Sequence, residues 1–135
     1  MKSKKRMLVC LFLLFTQLSI TQKIGDKLYE KGLTELEAGN FDKAVKNFNK
    51  SIQKNDNFVD AYFKRALSYT YLKKYEEAIN DYSTVIELSP NDEVSFFNRS
   101  RIFTVMKDYE KALSDVNSAI NIDKEFIEVY YQKAS

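Results

Sequence analysis

Histidine is absent from this chain, and Cys10 is its one cysteine. Catalysis by Ser-His-Asp or Cys-His groups is therefore excluded. So are His-ligated metal sites, Cys-rich zinc sites and an intramolecular disulfide. Carboxylates, lysines and tyrosines remain, but they form no recognisable nucleophile-base pair, phosphate loop or metal cluster. No cofactor is expected, and no enzyme activity. Four cations stand out by spacing instead: Lys31, Arg65, Arg99 and Lys133 recur every thirty-four residues. Such a column could serve as an anion track. The plainer reading, and the favoured one, is that the stems pack along the protein while the heads reach water or nearby carboxylates. Asp42, Glu76, Glu77 and Glu110 fall where helices are expected to begin, and negative charge suits a helix N-terminus. Asn49-Lys50-Ser51 and Asn98-Arg99-Ser100 have the glycosylation spacing but lie on expected helices, so they read as coincidence.

The elements that hold these groups follow from composition and periodicity. The 135 residues are 44% hydrophobic and 30% charged, an ordinary globular balance. They contain three glycines and one proline, against about 12% of an average chain. So few turn-formers exclude a sandwich or barrel and favour long helices. The thirty-four-residue repeat extends well beyond the cations. Ala44, Ala78 and Ala112 form one column; Phe41, Tyr75 and Tyr109 another; Ile52, Ile86 and Ile120 a third. Small residues fill the column Gly32, Ala66, Ser100 and Ala134, and large ones the column Leu28, Tyr62, Phe96 and Tyr130. Apolar residues recur at helical spacing within each unit, in two runs separated by a few residues such as Gly39-Asn40 or Lys73-Lys74. Each unit is thus a helical hairpin whose small columns mark close helix contact. Helices are expected near 25–38, 41–54, 59–72, 75–88, 93–106 and 109–122, with half a hairpin from 127. Loops are expected at 55–57, 89–92 and 123–124, with Pro90 stopping one helix and Asn91 or Asp92 capping the next.

The N-terminus has a different character. Lys2, Lys4, Lys5 and Arg6 form a basic head, Met7 to Phe15 is a nine-residue apolar run, and Thr16, Gln17, Ser19 and Thr21 turn polar. This is the pattern of a secretory signal peptide over residues 1–21, with removal expected after Thr21. A bilayer span needs about 20 apolar residues, so an uncleaved membrane anchor is the alternative. The head carries four of the 21 basic residues and none of the 19 acidic ones, so the rest of the chain holds 17 basic residues against 19 acidic. A near-neutral domain without basic blocks offers no footprint for nucleic acid.

The repeating unit resembles the tetratricopeptide (TPR) family. Tyr62, Ala66, Tyr69, Ala78, Tyr82 and Pro90 match its pattern best, with Arg65 in place of the usual leucine. Leu28, Gly32, Ala44 and Phe48 carry the pattern in the first unit; Phe96, Ser100, Phe103 and Ala112 carry it in the third. The resemblance implies an all-α, right-handed solenoid of about three and a half TPR units. The TPR domain would span 22–135, with units near 25–58, 59–92 and 93–126 and a partial one at 127–135. It also implies that the first helix of each hairpin lines a concave, peptide-binding groove. The groove columns would then be Tyr29, Phe63, Phe97 and Tyr131; Leu33, Leu67 and Arg101; Leu36, Thr70 and Thr104; and Glu37, Tyr71 and Val105. Lys64 and Asn98 join the candidates. Phe63 and Phe97 are expected to be partly exposed.

The family's carboxylate clamp, which grips acidic chaperone tails, needs a set of Lys, Asn and Arg on successive first helices. One register here offers Tyr29, Leu33, Lys64, Val94 and Asn98; the next offers Phe63, Leu67, Asn98, Glu128 and Gln132. The cations are missing, so clamp activity is not expected. What remains is a non-catalytic interaction scaffold, periplasmic or secreted, that binds a protein or peptide. A docking or sensor segment of a longer exported enzyme or signalling protein is the competing reading, and self-association a third. Membrane contact is expected only through an uncleaved signal segment.

Overall fold

The computed structural model describes residues 1–126. The expected fourth unit at 127–135, with Tyr131 and Lys133, lies outside the described residues. Six helices lie wholly among the described residues: α1 (Lys2–Glu37), α2 (Phe41–Ile52), α3 (Val59–Tyr71), α4 (Tyr75–Leu88), α5 (Glu93–Val105) and α6 (Tyr109–Ile122). No strand occurs among the described residues. The helices pair as α1–α2, α3–α4 and α5–α6, and each pair stacks on the next through α2–α3 and α4–α5. This is a right-handed solenoid of hairpins, as expected.

The turns inside the hairpins are built alike. Gly39, Lys73 and Lys107, thirty-four residues apart, all have left-handed backbone, with φ of 75°, 58° and 63°. Each ends its first helix with a paired closure. In the third unit Lys107 N–H donates to Thr104 O and Asp108 N–H to Phe103 O. The same pattern recurs at Gly39–Asn40 and Lys73–Lys74. These bonds satisfy carbonyls that the helix end leaves without partners. The residue that completes the closure is also the N-cap of the second helix, so the reversal is tight. Asp92 caps α5 by accepting from Ser95 N–H at 3.0 Å, as its place after Pro90 suggested.

Close packing explains the small columns. Ala44, Ala66 and Ala78 are fully buried. Gly32 faces Phe48 and Ala66 packs in one cluster with Tyr82, so a smaller residue stands opposite a larger partner. A Cβ added at Gly32 would lie 2.5 Å from Phe48 Cε1, which shows why this column holds glycine there. Ala66, Ala78, Tyr82 and Ile102 form one core cluster across the second and third units. Phe97 and Ala119 anchor another, with Phe96, Ile120 and Phe126 around them.

The first helix departs from expectation. The periodicity predicts a start at residue 25, but α1 begins at Lys2 and runs unbroken into the first hairpin. No glycine or proline lies between residues 2 and 24 to interrupt it. Its packed part starts at Gly25, whose carbonyl accepts from buried Ser51 Oγ at 2.8 Å. Met7, Leu8, Val9 and Leu11 to Phe15 are all exposed.

Candidate functional site

A cavity of about 560 Å3 opens where α3 and α5 face each other. From α3 it is lined by Leu67, Thr70 and Tyr71, and from α5 by Phe97, Asn98, Ser100, Arg101, Ile102, Thr104 and Val105. Tyr75 and Tyr82 of α4 and Val116 of α6 complete it. Its size suits a side chain or a short peptide segment. Most of the wall is apolar or aromatic, and the Arg101 guanidinium is its one formal charge. Tyr71 and Val105 remain 58% and 60% exposed, so the lip is itself apolar.

The repeat explains why the cavity lies here. At the preceding boundary Tyr71 stacks on Phe41, with ring centroids 4.6 Å apart. One unit later the same two places hold Val105 and Tyr75. Valine is too small to make that stack, and space remains. Tyr82 stands at the back of the cavity, 1% exposed. Burial pushes its phenol up to about 12, although Thr70's hydrogen bond and Arg101's charge work the other way.

Of the candidates named from sequence, Leu67, Thr70, Tyr71, Phe97, Asn98, Arg101, Thr104 and Val105 meet at this cavity. Tyr29, Leu33, Phe63 and Lys64 do not line it. Tyr29 packs inside the first unit, its ring centroid 4.7 Å from that of Phe58 and 5.8 Å from that of Phe48. Burial raises its phenol pKa, and the charges of Asp60 and Glu30 add to the rise. Phe63 is half-buried, edge-on to Tyr82 at 5.6 Å, with Lys64 Nζ 5.8 Å from its centroid. Leu33 is also half-buried.

Phe97 corrects the expectation of partial exposure: it is 4% exposed. The physical reason is a residue that the helix columns did not contain. Phe126, from the segment after α6, meets Phe97 edge-to-face at 6.0 Å, as Phe58 covers Tyr29. Phe58 and Phe126 stand in one column of the repeat. The second-unit member of that column is Asp92, which caps a helix and leaves Phe63 less covered. The periodicity of loop residues was the available signal. Tyr75, Tyr82 and Val116 were also missed as cavity residues, because they come from second helices.

The cation column is settled by geometry. Arg65 donates through Nε and Nη2 to both oxygens of Asp81, at 2.7 and 2.6 Å. Arg99 does the same to Asp115 at 2.8 Å each. Their stems lie against aromatic rings, Tyr62 and Tyr69 for Arg65, Phe96 and Phe103 for Arg99. Desolvation draws the Arg65 guanidinium down, but the hydrogen bonds and charge of Asp81 outweigh it and hold its pKa above the usual value. Both guanidinium forks are taken up by carboxylates, so these two arginines do not form an anion track. No group of acidic, cysteine or histidine side chains suited to a metal occurs among the described residues.

Residues 59–92, the second hairpin, match the tetratricopeptide repeat family. A comparison with curated proteins gives no match. Among solved structures, the Arabidopsis OM64 TPR domain superposes with a TM-score of 0.75 at 18% identity, over 78% of this chain and 87% of that one. MamA gives 0.74 at 17% identity, over 79% of this chain and 63% of its own. The second TPR of Spaghetti (RPAP3), bound to the HSP90 peptide SRMEEVD, gives 0.72 at 20%, over 76% and 94%. At such identities the likeness concerns the fold: the chain has the helical-hairpin solenoid of these TPR neighbours, and its second hairpin matches the tetratricopeptide repeat model.

Proposed function

We propose that this chain is a non-catalytic scaffold that holds a partner protein's peptide by seating an apolar side chain between α3 and α5. The cavity lined by Leu67, Tyr71 and Val105 carries the proposal. Exposed, contiguous apolar surface on a folded domain marks partner sites. Asn98 and Arg101 supply the polar contacts that fix a peptide backbone or a flanking carboxyl group. A neighbour of the same fold, the RPAP3 domain, holds a peptide, which supports this use of the fold. The acidic-tail clamp is not part of the proposal, because Phe63 and Leu67 occupy places where that chemistry needs polar groups. Residues 1–21 act, in this reading, as an export signal that places the domain in the periplasm or outside the cell. The length and apolar character of α1, and the exposure of Met7 to Phe15, fit such a signal and equally fit an uncleaved membrane anchor.

The test is selection of binders from a random peptide library, followed by Tyr71→Ala and Val105→Glu. Both positions are exposed, so the fold should survive. Selected peptides should share a large apolar residue and bind the variants at least about tenfold more weakly, as expected of contacts near hot spots. Affinity should vary little with salt, since the contacts are mainly apolar. Peptides that bind both variants as tightly as the wild type would place the site elsewhere.

A further inference from the structure

A third hydrogen bond from each half-buried arginine reaches backward into the previous hairpin. Arg65 Nη1 donates to Asn49 Oδ1 of α2 at 2.7 Å. Arg99 Nη1 donates to Ser83 Oγ of α4 at 2.7 Å. The acceptor lies sixteen residues before the arginine and the aspartate sixteen after it, at both boundaries. Each guanidinium therefore joins three consecutive helices: the second helix of one unit and both helices of the next. The carboxylates are almost fully buried, with side-chain exposure of 6% for Asp81 and 7% for Asp115. A planar fork held by two carboxylate bonds has a fixed direction, so its Nη1 donors are aimed rather than free to swing.

These clasps lie across the helix from the cavity. On α3 the cavity is lined by Leu67, Thr70 and Tyr71, whereas Arg65 and Tyr69 line a separate polar cleft with Asn49 and Asp81. Two residues correspond to about 200° around a helix, so Arg65 and Leu67 face nearly opposite ways. A bond across the back of a unit boundary limits how far the two units can rotate, and that rotation opens or closes the front. The first unit gives an internal comparison. It has no preceding second helix, its column holds exposed Lys31, and the aspartate column holds Asn47, which donates to Lys43 O instead.

We propose that Arg99 and Ser83 are positioning residues that set the angle between the second and third units, and so the width of the cavity, with Arg65 and Asn49 doing the same one boundary earlier. The device holds whatever peptide the cavity takes. Its test is a distance measurement on the full chain in detergent, in a Cys10→Ser background. Spin-label pairs at exposed Asp42 and Glu76, and at Glu76 and Glu110, report the two boundaries. Ser83→Ala should broaden or shift the 76–110 distance distribution by about 1.5-fold in width or more, and leave 42–76 unchanged. Asn49→Ala should do the reverse. Arg99→Lys keeps the charge but not the fork, and should repeat the Ser83→Ala result if that variant folds poorly. A lowered melting temperature with both distributions unchanged would reduce the bonds to plain stabilisation and overturn the proposal. So would broadening at both boundaries from either single variant.

Discussion

Gly32→Ala tests the packing of the first hairpin directly. The new Cβ would lie 2.5, 2.7 and 3.0 Å from Cε1, Cδ1 and Cζ of Phe48. Carbon atoms in ordinary contact stand about 3.5–4.0 Å apart, so ring and helix must separate by about 1 Å. Phe48 is fully buried and packs against Tyr29, so the ring cannot simply turn away. Overpacking of this kind costs about 1–3 kcal/mol, and a buried aromatic belongs in the upper part of that range. Alanine recovers about 1 kcal/mol of helix propensity relative to glycine. The net expectation is a loss of about 1–2 kcal/mol, or roughly 5–10 °C in melting temperature for a domain of this size. Thermal and urea unfolding, followed by circular dichroism, would measure it. Gly25→Ala is the control: its Cβ would stand 3.2 Å from Lys54 Cβ and 3.5 Å from Ser51 O, so the propensity gain should leave it neutral or slightly stabilised. Phe48→Leu should be destabilising alone but should relieve Gly32→Ala by about 1 kcal/mol or more in a double-mutant cycle. A Gly32→Ala protein that melts at or above the wild-type temperature would refute the reasoning. Ala66 opposite Tyr82, one unit later, shows that this outcome is physically open.

Other perturbations follow from the same structure. Lys107→Gly should stabilise by about 0.5–1 kcal/mol, because the position is left-handed and exposed and its first-unit counterpart is already glycine; chemical denaturation would show it. Ser95→Ala should stabilise by about 1 kcal/mol, since Ser95 Oγ is buried without a hydrogen-bond partner and Ala61 fills the same place in the second unit; an unchanged or lower midpoint would count against that. Tyr82 favours its neutral form in the fold, with its pKa raised from 10.0 to about 12. Its stabilising contribution is therefore complete below pH 10 and is lost as pH rises through about 12. Absorbance titration near 295 nm of wild type against Tyr82→Phe should find the missing tyrosine only at the alkaline end.

Much of the architecture was legible in the sequence because it depends on local chemistry repeated in phase. Columns such as Ala44, Ala78 and Ala112, and the glycine or lysine pairs between runs, located five of the six helices to within two residues. A helix boundary is set by nearby residues, and a thirty-four-residue period registers each unit against the next. The same columns favoured packed stems with paired heads over an anion track for the cations, and Arg65 and Arg99 do pair with Asp81 and Asp115. Which residues line the cavity between α3 and α5 was a tertiary matter. Phe63 and Phe97 share a column, yet Phe126 closes over one while Asp92 leaves the other half-open. The cavity exists because Val105 replaces the tyrosine that fills the preceding boundary, and its rear wall comes from Tyr75, Tyr82 and Val116 on second helices. Each of these depends on the volume of a neighbour far away in sequence, which periodicity cannot express. The arginine column shows the division most plainly. Its spacing announced a repeated cation, but only the packing of three helices decided that each guanidinium joins Asp81 to Asn49, or Asp115 to Ser83.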